Sequence, residues 1–477
     1  MITHAVVTTV LAGSLVAPAA TPNDAIDWGP CPEDVVAAGV ECGTLDVPLD
    51  YRDTGGRTIE IAISRLASTN RGKRHGILLT NSGGPGGPGL GYPNYLRRRG
   101  LPQSVLDTYD VIGMDPRGVD RSSPVTCDLT PEQMTTNIPL YARTQADVTS
   151  DAAAGAVRAA QCGKSSTAAL LPHITTANTA RDLDRVRAAL GEPTASYFGV
   201  SYGTYLGAVW ATLFPRTGDR VLLDSATAPG GWDADFNRLL GRGVEERFPD
   251  FARFVTDHPE YGLGRTPAQV RAKFFALAAK LDAEPRPDGI EGRFFRHLTF
   301  AELYYDRRFP ALAEMWKAFD TGAPLPSGAA AETPEWMENY LASQLHVICN
   351  DSDWPEPVAS YRRNVETDRR RHPLFGAAAA NITACASWPS EPIEPPVRIT
   401  GRGPSNVLIL QNLRDPATPL AGALEMRRAL GGRARMVTAD QGGHVAYLEL
   451  TNPCADEITT TFLVTGRRPE RDVRCGA

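Results

Sequence analysis

Residues 195–215 read ASYFGVSYGTYLGAVWATLFP. The apolar run before Ser201 reads as a buried strand, and the run after it as a helix closed by Pro215. Between them lies GVSYG, Gly199 to Gly203, a G-x-S-x-G pentapeptide. In a chain with 44 glycines such a pentapeptide carries little by itself. Between a strand and a helix it describes a sharp turn whose small residues permit the bend, and the bend exposes the serine hydroxyl. The helix N-terminus just beyond Ser201 also favours an oxyanion. Ser201 is therefore a candidate nucleophile; the bland alternative is a tight strand–helix turn with an incidental serine.

Outward from this turn, strand and helix signals alternate. RTIEIAISRL (57–66) alternates at period two, and HGILLTNSG (75–83) and YDVIGMDPRG (109–118) are short apolar runs ending in turn residues. TARDLDRVRAALG (179–191) puts Leu183, Val186 and Leu190 on one helical face, and DRVLLDSA (219–226) is a further strand. This alternation predicts an α/β fold with a mainly parallel sheet. From Pro229 to Pro396 the reading turns helical, with FARFVTDH, AQVRAKFFALAAKL and EWMENYLASQLHVI, and the proline-rich SWPSEPIEPPV closes the block. Strands return with NVLILQNLRD (406–415) and ARMVTADQGGH (434–444). The division expected is a sheet-bearing core at 20–228 and 397–477, with a helical cap or lid inserted at 229–396.

Length and composition bound the rest. The chain has 477 residues, 42% hydrophobic and 22% charged, which is globular usage. A net charge of −6 leaves no electrostatic footprint for nucleic acid. The densest basic cluster, RRNVETDRRRH (362–372), reads as a solvated helix face. Ala5 to Val16 is apolar but short for a membrane span, and APA at 17–19 offers a cleavage site, so residues 1–19 read as a signal peptide cut near Ala19. Its first residues carry only His4 in place of Lys or Arg, which points to a start upstream of Met1. No later segment reaches membrane-spanning length, so a secreted protein is expected.

Eight cysteines fit an oxidising compartment. Their order suggests neighbour pairs: Cys31 with Cys42, Cys127 with Cys162, Cys349 with Cys385, Cys454 with Cys475. Many other pairings are open to eight cysteines. There is no C-x-x-C, no H-E-x-x-H and no histidine cluster of ligand spacing, so neither metal nor cofactor is expected.

A serine hydroxyl needs an imidazole to take its proton and a carboxylate to orient that imidazole. His444 is the last of eight histidines and follows a strand in a glycine loop. His258, His297, His346 and His372 fall in the expected cap. Asp415 ends NVLILQNLRD at a strand's C-terminal tip, where ligand and catalytic groups of open α/β sheets gather. The runner-up acid is Asp224, closing RVLLD one strand earlier. Ser, then acid, then His is the order of α/β hydrolases. Asn81 to Leu90, NSGGPGGPGL, follows the strand GILLT, where their oxyanion loop belongs. Glycines let backbone N–H groups approach the oxyanion and prolines stiffen the loop. The expected donors are the amides of Tyr202 and of Gly84 or Gly83. No G-K-[ST] follows, which disfavours a phosphate loop, and flanking strands disfavour a linker.

SGGPGGPG, DPRGVDRSSP (115–124), GVSYGTYLG, RDPATP and GGH occur in the order seen in secreted tripeptidyl aminopeptidase-like α/β hydrolases, which this chain resembles over nearly its whole mature length. These are relatives of prolyl aminopeptidases, whose loop reads HGGPG. The tail NPCADEITTTFLVTGRRPERDVRC is similar to that family's disulfide-closed tail. The resemblance implies an α/β hydrolase fold, a triad of Ser201, Asp415 and His444, and a helical cap over the site. Two departures stand out. Ser82 replaces the His or Pro of those loops, and FARFVTDHPEYGLG lacks the extra cysteines such a cap segment often carries. Exopeptidases of this group hold the substrate's amino terminus with acids, and the candidates are Asp351, Asp353, Glu245 and Glu246. Asp351 is preferred for its Cys-x-Asp context; for each of the four, the alternative is a solvated surface acid.

The reading is a secreted serine exopeptidase that releases short peptides, tripeptides, from free N-termini. A carboxylesterase with the same triad is the alternative, and a catalytically inactive hydrolase-fold binding protein a further one. NIT at Asn381 matches a glycosylation acceptor.

Overall fold

The apolar runs at 76–81, 109–114 and 195–200 form strands in which every residue is buried, as a sheet covered on both faces requires. The computed structural model describes residues 26–325, 334 and 336–476. The expected signal segment, 1–19, lies outside the described residues. The strands are β1 (Asp27–Gly29), β2 (Val40–Pro48), β3 (Thr58–Leu66), β4 (Gly76–Asn81), β5 (Tyr109–Met114), β6 (Ala195–Val200), β7 (Gly218–Asp224), β8 (Val407–Arg414), β9 (Ala434–Gly442) and β10 (Val473–Cys475). They form one sheet in the order β1-β2-β3-β5-β4-β6-β7-β8-β9-β10. The pairs from β5 through β10 are parallel, and β1, β2 and β3 extend the β5 edge in antiparallel fashion. This is the α/β hydrolase fold. The short β1 and β10 and the long β2 carried no strand signal in the sequence reading.

One apolar cluster packs on each face of the sheet. Val209, Trp210 and Met426 belong to one, and Tyr447, Phe462 and Leu463 to the other. Between β7 and β8 the described residues are mostly helical, with long helices at Ala234–Asp257, Pro267–Ala283, Gly292–Glu302, Phe309–Thr321, Trp336–Asn350 and Val358–Arg371. These helices build a third cluster, rich in aromatic rings, around Phe248, Phe251, Phe274, Phe295 and Trp316. Linear sequence and packing divide differently here. Tyr141, Ala142 and Val148, which precede β6, join the helical cluster. Leu341, Leu345 and Ile348 of the Trp336–Asn350 helix join a sheet cluster instead.

The cysteines form four bridges, each between sequence neighbours: Cys31–Cys42, Cys127–Cys162, Cys349–Cys385 and Cys454–Cys475. The last closes the tail, tying the Pro453–Thr465 helix to β10. Among the described residues no helix is long and apolar enough to cross a membrane. Cys127, Cys162 and His346 lie close together, but both sulfurs are spent in a disulfide and offer no thiolate to a metal.

Candidate active site

The turn at Ser201 joins β6 to the Tyr202–Leu213 helix. Ser201 sits at φ 55° and ψ −126°, a conformation that costs a non-glycine residue about 1–3 kcal/mol and persists only when its surroundings enforce it. The enforcement is steric. A Cβ on Gly199 would lie 2.4 Å from the Gly203 carbonyl oxygen, and one on Gly203 would lie 2.9 Å from the Asn81 carbonyl oxygen. Both glycines of the pentapeptide are thus required by backbone approaching backbone. The Ser201 amide donates to the Asp224 carbonyl at 3.0 Å, which ties the turn to β7. Tyr202 opens the helix, so its amide belongs to a first turn whose N–H groups have no intrahelical acceptor.

His444 follows the end of β9, and Asp415 the end of β8. His444 Nδ1 meets both Asp415 oxygens, at 3.0 and 2.9 Å. Asp415 is fully buried. It also accepts the amides of Ala417 and Thr418 at 2.9 Å each and the Thr418 hydroxyl at 2.8 Å, so the carboxylate is held before it meets the ring. The His444 amide donates to the Tyr304 carbonyl at 2.8 Å, and the Tyr304 ring stands edge-on to the imidazole with centroids 5.1 Å apart. Asp224, the alternative acid, does something else. Its oxygens accept the amides of Ala446 at 3.0 Å and Tyr447 at 2.8 Å, anchoring the main chain just past His444. Burial pushes its carboxyl up to about 7.

The glycine-rich loop packs over the serine turn. A Cβ on Gly83 would meet the Val200 carbonyl oxygen at 2.8 Å, and its φ is +89°. The Gly83 amide donates to Asn81 Oδ1 at 3.0 Å and is thereby committed. Gly84, not Gly83, lines the cavity beside Ser201. Ser82 Oγ donates to the Pro88 carbonyl at 3.2 Å, so the residue that departs from the family pattern closes the loop on itself. That cavity is about 350 Å³, within the range of small-ligand sites. Its wall takes Ser201, Tyr202 and His444 from the sheet side and Trp232, Phe236 and Tyr304 from the helical insertion.

A family profile described as "TAP-like protein" matches residues 372–475, which span Asp415 and His444. The tripeptidyl aminopeptidase of Streptomyces lividans is 34% identical over 97% of this chain and 89% of its own. The chain belongs to the tripeptidyl aminopeptidase family. More distant relatives include the serine protease Hip1 of Mycobacterium tuberculosis, 27% identical over 94% of this chain and 91% of that one. Carboxylesterase B of the same organism is 27% identical over 96% and 91%. The tripeptidyl aminopeptidase relationship read from the ordered motifs is thus borne out, as are the α/β hydrolase fold and the assignment as a serine hydrolase of peptidase type.

Within this family member, the four acids expected to hold an amino terminus stand elsewhere. None of them lines the cavity. Glu245 pairs with Arg271 at 2.9 Å and accepts the Leu374 amide, Glu246 pairs with Arg242 one helical turn away, and Asp353 is exposed. Asp351 accepts the Thr176 amide at 2.8 Å and the Thr176 hydroxyl at 2.5 Å. Thr176 Oγ1 in turn meets Tyr202 OH at 2.5 Å. Asp351 therefore supports the ring of the residue after Ser201 rather than facing the cavity, and burial pushes its carboxyl up to about 7. Asn381 is a second correction. It is buried, and its Nδ2 donates to Leu140 O at 2.9 Å and Asp151 Oδ2 at 2.7 Å, so it cannot receive a glycan.

Other supports were invisible in the sequence. In DPRG, Asp115 Oδ1 accepts the amides of Gly89 at 2.7 Å and Leu90 at 2.9 Å, fixing the far end of the glycine loop. Arg117, two residues on, makes a fully buried fork to Asp182 at 2.7 Å for both bonds. Arg247 of the insertion donates to the Leu303 carbonyl at 3.0 Å and pairs with Asp250 at 2.6 Å and with Asp306. Asp250 also meets Arg414 at 2.9 Å, the residue before Asp415. This network holds the segment bearing Tyr304 against the loops that carry Asp415 and His444.

Proposed function

We propose that this protein is a secreted serine exopeptidase that removes tripeptides from free peptide N-termini. The carrying observation is the buried His444–Asp415 pair in a cavity it shares with Ser201, in a chain 34% identical to a tripeptidyl aminopeptidase. Ser201 Oγ attacks the scissile carbonyl while His444 takes its proton, and Asp415 holds the imidazole and its developing charge. The amides of Tyr202 and Gly84 receive the oxyanion. Collapse of the tetrahedral intermediate passes the proton from His444 to the leaving amine and leaves an acyl-enzyme; water, deprotonated by His444, releases the peptide. Residues 229–396 act as the cap that limits how much chain enters, and the four disulfides and the 1–19 segment support export.

A carboxylesterase is the second reading, favoured by the absence of a carboxylate among the described residues of the cavity wall and by the carboxylesterase B relative. Tripeptide anilides with free and with blocked N-termini, compared with short acyl esters, decide between them. Faster turnover of the free peptide, abolished by Ser201→Ala, is expected. Equal turnover of free and blocked peptides would sink the exopeptidase, and cleavage of esters alone would establish the esterase.

A further inference from the structure

A second cavity, of about 420 Å³, opens beside the catalytic one. The two share Ser82, Val200, Tyr305 and Val445 as wall residues. Val200 precedes the nucleophile, Val445 follows the base, and Ser82 belongs to the glycine-rich loop. The two spaces therefore meet at the reacting groups, and a chain whose scissile carbonyl stands at Ser201 has one on either side of it.

The cavities differ in how they end. Among the described residues around the catalytic cavity only Thr135 is exposed, whereas Asp34, Pro88, Gly91, Tyr95 and Asp120 are exposed around the second. An enzyme that counts residues from a free amino terminus needs a closed space for the acyl part and an open one for a remainder of any length. The leaving amine takes its proton from His444, so the chain beyond the cleaved bond starts beside Val445, the shared residue next to the base.

The wall of the second cavity says what it takes. Its ions are already matched: Arg121 meets Asp34 at 2.9 Å and Asp120 at 2.5 Å, and Glu449 meets Arg99 at 2.9 Å and Arg307 at 3.1 Å and accepts the Tyr95 hydroxyl. What remains for a side chain is apolar. Tyr92 and Tyr95 stack with ring centroids 5.6 Å and planes 12° apart, and Val35, Leu90 and Val445 complete the surface.

We propose that this second cavity is the leaving-side subsite, which seats the first residue beyond the scissile bond and prefers a large apolar side chain there. The assignment rests on the exopeptidase reading of the adjoining cavity.

The test uses pentapeptides that share one acyl tripeptide and carry Phe, Leu or Gly as the first residue beyond the cleaved bond, with the methyl ester of that tripeptide as reference. All four substrates form the same acyl-enzyme, so differences in kcat/KM arise before the leaving group departs. Each kcat/KM is divided by the same enzyme's value on the ester. In wild type Phe should exceed Gly by about 10-fold, with Leu between them. Tyr95→Ala removes one ring of the pair and should reduce that preference to about threefold. Gly91 is exposed at φ −76°, and a Cβ there would meet nothing within 4 Å, so Gly91→Trp can be accommodated and should lower the Phe and Leu ratios about 10-fold. Equal ratios for Phe, Leu and Gly in wild type overturn the subsite, and so do ratios that ignore both variants. A second pair of methyl esters, with Phe or Gly as the residue whose carbonyl is attacked, guards the direction: if Tyr95→Ala alters that discrimination instead, the cavity holds the acyl end and the assignment falls. Should Gly91→Trp fail to fold, the wild-type preference and Tyr95→Ala still decide. Hydrolysis of the ester but of no pentapeptide would overturn the exopeptidase reading, and the peptide occupant with it; cleavage of every pentapeptide at one rate would overturn the subsite alone.

Discussion

The cavity has two walls built by different means. On the sheet side, side chains stand at strand ends and carboxylates hold main-chain amides: Asp115 takes Gly89 and Leu90, Asp224 takes Ala446 and Tyr447, Asp415 takes Ala417 and Thr418. On the side of the insertion, a cluster of aromatic rings and an Arg247–Asp250–Arg414 chain of ion pairs do the holding. The first wall fixes the loops of Asp415 and His444 and the glycine-rich loop to the backbone. The second sets the shape of the space around them, and polar contacts between the two include the Tyr304 carbonyl, which accepts the His444 amide, and the Arg414 guanidinium, which pairs with Asp250.

If the sheet wall does the chemistry, its reacting groups carry the largest effects. Ser201→Ala is expected to lower turnover about 10⁶-fold on peptide and ester alike, with fluorophosphonate labelling lost. A variant that still labels would break the assignment of the nucleophile. The next effect separates two buried aspartates of the same wall. Asp415→Asn should cost about 10⁴-fold in kcat, because the amide would favour the wrong tautomer of His444. Asp224→Asn touches the main chain past the ring and should cost roughly tenfold or less, the worth of about one hydrogen bond. Comparable losses for the two would mean that the His444 loop position, not the Asp415 hydrogen bond, governs the base.

The same contrast explains what was legible in the sequence. Ser201, Asp415 and His444 each follow a short apolar run and sit in local turn chemistry, so strand patterning alone places them at one edge of the sheet. The insertion offers no such rule. Glu245 and Glu246 stand in a helix with nothing local to say that Arg271 and Arg242 would neutralise them. Asp351 meets a threonine 175 residues away. Tyr304 and Arg247 belong to no motif, and their roles arise only when distant segments pack. Periodicity records which face is buried, but it does not record which partner crosses over to meet it.

Two buried arginines test whether the walls are separable. Arg117→Met removes one half of the Arg117–Asp182 pair, and Arg247→Met one half of the network at the seam. Arg117→Met should lower stability by about 3–5 kcal/mol, the usual consequence of leaving a buried charge unpaired, as read by urea unfolding; Arg247→Met should cost less, because Asp250 keeps Arg414 and Arg253 and Asp306 is mostly exposed. Their effects on activity should differ. Arg117 holds Asp182 and the Pro48 and Leu49 carbonyls, none of them on the cavity wall, so turnover per folded molecule should be unchanged. Arg247→Met frees the Tyr304 segment, so kcat and KM should both worsen and amides near residues 300–310 should exchange faster. If both variants keep full turnover, the insertion does not help to hold His444.

The smallest effect distinguishes carboxyls that grip backbone from those paired with arginine. Burial is the largest influence on Asp115 and pushes it up to about 6, even with its amide partners pulling the other way. An unfolded aspartate titrates near 3.9, about two units lower, so the folded chain binds this proton more tightly than the unfolded one. Asp115 therefore adds stability that is complete below about pH 4 and is lost as pH rises through 6. Asp224, at about 7, extends the same trend by a further unit. Asp115→Asn has no proton to lose, so its stability should fall less steeply between pH 4 and 6, by at most about 1.4 kcal/mol per pH unit. Asp224→Asn should flatten the slope up to pH 7. Thermal midpoints at unit steps from pH 4 to 8 would read both. Identical slopes in wild type and Asp115→Asn would mean that the glycine loop is gripped by a carboxylate already ionised at pH 4, and that this wall is as indifferent to acid as one built from arginine pairs.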